Sequence, residues 1–302
     1  MAWRPLPYEA WRASRDTLHG HTQVLGKVAL ALAQTEPQLQ HGALRLTVRG
    51  WETLPLSTPD GSGTIGLTLD LRSHHAAVEH QDGRGIRIPL TPNRAVADVT
   101  RDVLDAVREL AGDVVINMKP QETPWSTPLD KDTEHATYNS DQVAGYFAAA
   151  SRAASVLAAF RAPYRGRSTP VNAWWGSFDL AVSLFSGAPA RPPSQDFIMR
   201  NSMDAQEIAV GWWPGDHRYP KAAFYAYAYP APKELAEAEL RAGAWSSTLG
   251  EFILDWDDVI ANDDPGRTAL EFCRAVAQHA CNVCGWDVTL ASTVSAAAPT
   301  IR

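Results

Sequence analysis

TIGLTLDLRSHHAAVEHQDGRGIRIPL, residues 64–90, is the stretch that decides the fold class. Ile65, Leu67, Leu69 and Leu71 fall two apart, as do Ile86, Ile88 and Leu90, so each run lines one face of a strand with apolar side chains. Asp82-Gly83 is a tight-turn dipeptide that separates its flanking runs closely enough to predict a hairpin. Hairpins make antiparallel neighbours, whereas a parallel pair needs a long crossover.

Working outward, Leu44, Leu46 and Val48 alternate on a further strand, with the turn pair Asp60-Gly61 after them. Tyr8 to Leu18 reads as a short helix with Trp11 and Leu18 as core contacts. Val96, Val99, Val103, Val107 and Leu110 form one helical stripe, and Val114 to Ile116 reads as one more strand. From Lys119 to Thr137, prolines and charges indicate a loop. Asn139 and Gln142 then mark a helix start, with Val143, Phe147, Ala150, Ala154 and Leu157 on one face.

The second half repeats this grammar. Alternation runs through Phe178, Leu180, Val182 and Leu184, then Ile208, Val210 and Trp212, then Tyr225, Tyr227 and Tyr229, and a short strand spans Gly250 to Leu254. A closing helix carries Leu270, Cys273, Ala277, Ala280 and Cys284. The expected class is α+β: antiparallel sheets with flanking helices, in two halves of similar topology. Residues 1–118 form the first half, 119–138 a linker and 139–302 the second, with the halves packed as one unit. No residue-level repeat supports a duplication, and no glycine-rich strand-to-helix turn marks a nucleotide loop.

The 302 residues are 45% hydrophobic and 20% charged, with a net charge of −7 and no basic stripe. Nucleic acid and an anionic membrane surface are therefore excluded as expected partners. The N-terminus lacks a signal-peptide core, and Ala144 to Phe160 is too short and polar for a bilayer span. Three cysteines within 273–284 make no disulfide framework, so the expected location is the cytoplasm. Eleven tryptophans serve cores and flat-ligand pockets equally well.

Trp3-Arg4-Pro5-Leu6-Pro7, Asp132-Thr133-Glu134-His135, Trp175-Gly176-Ser177-Phe178-Asp179-Leu180, Phe224-Tyr225-Ala226-Tyr227-Ala228-Tyr229-Pro230 and Gly250-Glu251-Phe252 occur in this order. The set resembles a bacterial family classified as a domain of unknown function, from Trp3 to about Trp286. The resemblance brings no activity, cofactor or catalytic residue. The resemblance implies a histidine in many members just before the aromatic pair, where this chain has Asn172.

Candidate site residues come from polar groups set in aromatic strings. Asp179 follows Gly-Ser-Phe and is read either as a buried acid or as a structural ion pair with an arginine such as Arg12. His135 is a candidate general base oriented by Asp132, or else a loop anchor. Tyr227 completes the catalytic candidates. Trp175, Tyr225, Tyr229, Glu207, His19 and His21 are candidate ligand-binding residues, His19 and His21 sharing one side if their segment is extended, with Lys27 further along.

Cys281 and Cys284 read as core residues, and no metal set is complete. The sequence names no cofactor. The best-supported function is a small-molecule enzyme using carboxylate and histidine acid–base chemistry in an aromatic-lined pocket. The alternatives are a non-catalytic small-molecule-binding protein and a structural partner protein.

Overall fold

The structure, a computed structural model, describes residues 3–291. In chain order the elements are α1 (Tyr8–Leu32), β1 (Arg45–Leu46), β2 (Gly50–Glu52), β3 (Leu56–Ser57), β4 (Thr64–Asp70), β5 (His75–His80), β6 (Gly85–Pro89), α2 (Val96–Ala111) and α3 (Ser140–Arg161). After them come β7 (Asn172–Trp174), β8 (Asp179–Pro189), α4 (Phe197–Ser202), β9 (Ala205–Trp213), β10 (Ala223–Tyr229), β11 (Ala244–Ser246), β12 (Glu251–Asp255), α5 (Trp256–Ile260), α6 (Pro265–Val283) and α7 (Val288–Ala291). One six-stranded sheet has the order β1-β2-β4-β5-β6, with β3 beside β4. The other has the order β11-β12-β10-β9-β8-β7. The pairs β10–β12, β10–β9, β2–β4, β4–β5, β5–β6 and β8–β9 are all antiparallel, so the protein is α+β as the alternation indicates.

The chain divides into two compact units. The first is Pro7–Ala148 with Asn172–Asp179; the second is Met1–Leu6, Ala149–Val171 and Leu180 onward. The division falls within α3, and residues 119–138, read from sequence as a linker, belong wholly to the first unit.

In the first unit, Ile65, Leu67 and Leu69 face the interior opposite His80, Val78 and Ala76 of β5, a strand the apolar alternation did not mark, and β5 pairs with β6 across the Asp82-Gly83 turn. That apolar face meets the Val96, Val99, Val103 and Val107 stripe of α2. α1 is longer than the sequence suggests, and every residue from Thr17 to Ala29 is buried. A helix buried all round is normally apolar. This one includes His19, His21, Thr22, Gln23 and Lys27, and those polar residues hide its continuation past Leu18. Two strand expectations fail in part. Of the 44–48 run, Leu44 bridges Ala173 and Arg45–Leu46 pair with β2, while Val48 stays outside the strand at 80% exposure; 114–116 forms no strand among the described residues, with Val115 90% exposed. An apolar triplet without a facing layer gains nothing by extending.

Gly26 is where α1 is approached most closely. A Cβ built there would stand 1.9 Å from Cδ1 of Trp175, whose Nε1 donates to the Gly42 carbonyl at 2.9 Å. The indole lies against the bare helix backbone and is tied down on its far side.

In the second unit, Phe224, Ala226 and Ala228 share a buried face with Ile208, Val210, Trp212, Phe252 and Leu254. This face packs on α6, where Phe272, Cys273, Val276, Ala277 and Ala280 are buried. Trp256 gathers Trp3, Trp212 and Phe224 around it, and its Nε1 donates to the Arg4 carbonyl at 2.8 Å, which fixes the Trp-Arg-Pro segment. α3 spans 22 residues and is apolar enough by length and composition to cross a membrane, which corrects the shorter, more polar segment read from sequence. Buried Val143 and Tyr146 lie in its first-unit part; Ala150, Ala153, Leu157 and Phe160 lie in its second-unit part.

The Gly26 approach gives a sign test. Alanine for glycine in an open helix stabilises by roughly 0.5–1 kcal/mol, and Gly145→Ala, with open space around it, is expected to do so. Gly26→Ala is expected instead to destabilise by about 2 kcal/mol through overpacking, measured by urea denaturation of both variants.

Candidate functional site

α1 uses its buried polar side chains to hold irregular backbone. Buried backbone groups must find partners, and here the partners are side chains. Thr17 Oγ1 accepts from the Thr137 amide at 3.1 Å and Ser14 Oγ from the Asn139 amide at 3.2 Å. Gln23 grips Gln121 twice, its Oε1 accepting from the amide at 3.0 Å and its Nε2 donating to the carbonyl at 2.9 Å. At the other end of the loop, the free amides at the start of α2 donate to its carbonyls: Val96 to His135 and Ala97 to Asp132, both at 2.9 Å.

This frame positions a histidine–aspartate pair. Asp132 is 0% exposed. Its Oδ1 accepts from the backbone amides of Glu134 and His135, and its Oδ2 lies 2.7 Å from His135 Nδ1. The loop-anchor and orienting roles offered as alternatives are thus both built from the same carboxylate. Hydrogen bonds to the charged form hold Asp132 below the usual carboxylate range against the opposing effect of burial, while the bond to Asp132 raises His135 above an ordinary imidazole. The His135 side chain is 18% exposed, and the Trp125 ring packs 4.3 Å from it.

His19 and His21 lie within α1, not on an extended segment, and two residues on a helix diverge rather than share a side. His19 Nε2 lies 3.0 and 2.9 Å from the carbonyls of Trp175 and Gly176. Carbonyl oxygens only accept, so Nε2 carries the hydrogen. The His19 ring stacks on Phe178 at 5.0 Å and meets Trp125 edge-on at 5.6 Å. His21 is fully buried. Burial first, then the charge of Arg94, lowers its pKa to about 3, so it is a neutral imidazole whose Nδ1 has no hydrogen-bond partner among the described residues.

Phe178 is the hub of the 175–179 turn, at φ 59°, a left-handed conformation that costs a bulky residue on the order of 1 kcal/mol. Trp51 stacks on it at 5.4 Å and Tyr146 at 5.2 Å, and Arg15 lies 5.4 Å from its centroid. Asp179 follows, 5% exposed, with the Ser177 hydroxyl donating to its Oδ1. Arg12, offered as its ion-pair partner, pairs with Glu9 at 3.5 Å. Asn172 is sealed, accepting from Arg45 and donating to Gln40 at 2.7 Å. It does structural work where relatives were expected to carry histidine.

The first unit thus brings together His19, His21, His135, Trp175 and Asp179. Tyr225, Tyr227, Tyr229 and Glu207 belong to the second unit. There the tyrosines stand on the sheet face opposite α6. Tyr225 lies across the neighbouring strand, so near Gly211 that a Cβ there would meet its ring at 2.3 Å, and Tyr227 runs parallel to it at 6.3 Å. Tyr229 donates to the Arg191 carbonyl at 2.5 Å. Glu207 is 5% exposed beneath them, 3.5 Å from the Tyr227 hydroxyl, and burial raises its carboxyl to about 7.

Cys273 and Cys281 are buried free thiols, pushed up to about 12 and about 11 by burial, which makes them inert core residues. Among the described residues, no group of three or more His, Cys, Asp or Glu side chains is arranged to hold a metal ion. Sequence reasoning passed over Trp125 and Gln23. Gln23 gains its meaning from Gln121 and Trp175, far along the chain, and Trp125 from His135 and from His19, about a hundred residues away.

An α+β protein with a partly open histidine on a buried aspartate is a broad class, and comparison with known proteins narrows it. Residues 3–293 match the model of DUF5996, described as a family of unknown function, and the chain belongs to that family. No curated protein and no solved structure matches it.

Two titrations test these geometries. Asp132→Asn is expected to return His135 from its raised pKa toward about 6.5, read by NMR of the imidazole protons. The native pair stabilises the fold fully below the ordinary histidine value, provided Asp132 stays ionised, and the contribution fades as pH rises through the raised one. For Glu207 the raised carboxyl costs stability as pH rises from about 4.5 to about 7. Glu207→Gln is therefore expected to be more stable than the parent at pH 8, by on the order of 3 kcal/mol at most, with the gap closing at pH 4. Urea melts at the two pH values measure it.

Proposed function

We propose that this protein is a small-molecule enzyme working by acid–base chemistry, with His135 as the proton-transfer group and Asp132 as its orienting partner. One observation carries the reading: a sealed carboxylate 2.7 Å from Nδ1 of a partly open imidazole. Asp132 holds the proton on Nδ1, which leaves the Nε2 lone pair for a substrate proton, and its charge stabilises the imidazolium formed. Trp125 offers an indole face beside the pair, suited to an apolar or flat substrate. Asp179, more deeply enclosed and engaged by Ser177, supports the turn that carries Trp175 and Phe178. In this reading Glu207 and the tyrosines, including Tyr227, lie outside the catalytic group. Free cysteines suit a reducing compartment, so the proposed location is the cytoplasm.

The test is consumption of a pooled small-molecule cell extract, followed by mass spectrometry. At least one compound is expected to be consumed by the parent protein, with the rate cut about 10²–10⁴-fold in His135→Gln. A compound consumed equally by both proteins rules the assignment out. A compound retained on the protein and released unchanged, with none consumed, makes it a binding protein instead.

A further inference from the structure

Of the five lysines, Lys119, Lys131, Lys221 and Lys233 are exposed and Lys27 is buried, at 4% exposure on α1. Burying an ammonium is costly, and buried lysines are normally paired with a carboxylate or held by acceptors. Lys27 has neither. Lys221 is the lysine that forms an ion pair among the described residues, with Asp255, and no hydrogen bond there engages Lys27. What stands near its Nζ is the Trp175 indole, 5.2 Å away at the ring centroid. That ring is held against Gly26 and tied to Gly42, so the environment is apolar and rigid. Lys27 also follows His19 and Gln23 at four-residue steps, on the stripe of α1 that faces the Trp175 segment.

We propose that Lys27 is a covalent capture site for a small aldehyde or ketone, which it binds as an imine through its side-chain amine. The chemistry balances without an oxidant or reductant. The nitrogen lone pair attacks the carbonyl carbon, a C–N bond forms and the C=O π pair moves to oxygen. The nitrogen proton passes to that oxygen, which leaves as water after a second protonation from solvent. The resulting iminium returns a proton to solvent, so amine plus carbonyl yields imine plus water.

Desolvation activates such lysines by favouring the neutral, nucleophilic form. Burial lowers the Lys27 amine to about 8. At pH 7 its neutral fraction is therefore roughly three hundredfold larger than that of a lysine at the ordinary value. The proposal is independent of the role given to His135.

The experiment uses the folded full chain, propanal as the carbonyl probe and cyanoborohydride to reduce the imine, at pH 7, with adducts mapped by peptide mass spectrometry. N-propylation of Lys27 is expected to outpace each of the four exposed lysines by more than about tenfold at early times. Lys27→Arg removes that adduct and leaves the other four unchanged. Lys27 labelling no faster than the exposed lysines, or labelling that appears only in urea, overturns the proposal. The five-way comparison within the parent protein decides the matter even where the arginine variant folds poorly.

Discussion

The first unit depends on a helix that spends its interior on other segments' backbones. Ser14, Thr17, His19 and Gln23 project from α1 and satisfy amides and carbonyls at 121, 137, 139 and 175–176. Each such bond adds only about 1 kcal/mol net. The larger effect is the penalty avoided, because irregular backbone inside a protein has no ladder of its own. A leucine-lined helix in this place would bury more apolar surface and leave both segments without partners. The polarity of α1 is thus the condition for having ordered loops at the centre, and those loops carry Asp132, His135, Trp175 and Phe178.

The second unit solves a different problem. One face of its sheet packs on α6 in the ordinary way, with alanines at Ala226 and Ala228 allowing a close approach. On the other face, tyrosines cover the sheet by lying sideways across it. Gly211 has no side chain to shield the strand, and the Tyr225 ring supplies that cover from the neighbouring strand. The same canopy removes water from Glu207, so an acidic group beneath tyrosines becomes a carboxyl that titrates near neutrality.

What could be read from the sequence was whatever has a short period. Within 64–90, β4 and β6 follow from two-residue alternation and the turn between β5 and β6 from Asp-Gly, while β5 itself, bracketed by His75 and His80, lacks that apolar alternation; the α2 stripe follows from valines three and four apart. The Asp132–His135 pair was readable too, because its geometry closes within four residues. α1 was cut short at Leu18 because His19, His21, Gln23 and Lys27 interrupt the apolar pattern that marks a buried helix. Their reasons for burial lie far along the chain, as with His19 and Trp175, 156 residues apart. The 114–116 triplet failed for the opposite reason, since local composition resembled a strand that no neighbour pairs.

The first unit is discontinuous, and that has a consequence for how the protein is made. Its segment 172–179 supplies the indole seated on Gly26, the acceptor carbonyls for His19 and the phenyl ring at the heart of the aromatic stack. A nascent chain that has reached Ala148 holds every strand of the first sheet yet lacks this keystone. In vectorial synthesis the turn at 172–179 leaves the ribosome after the rest of the first unit, so its contacts with Gly26 and His19 are the last of that unit to become available.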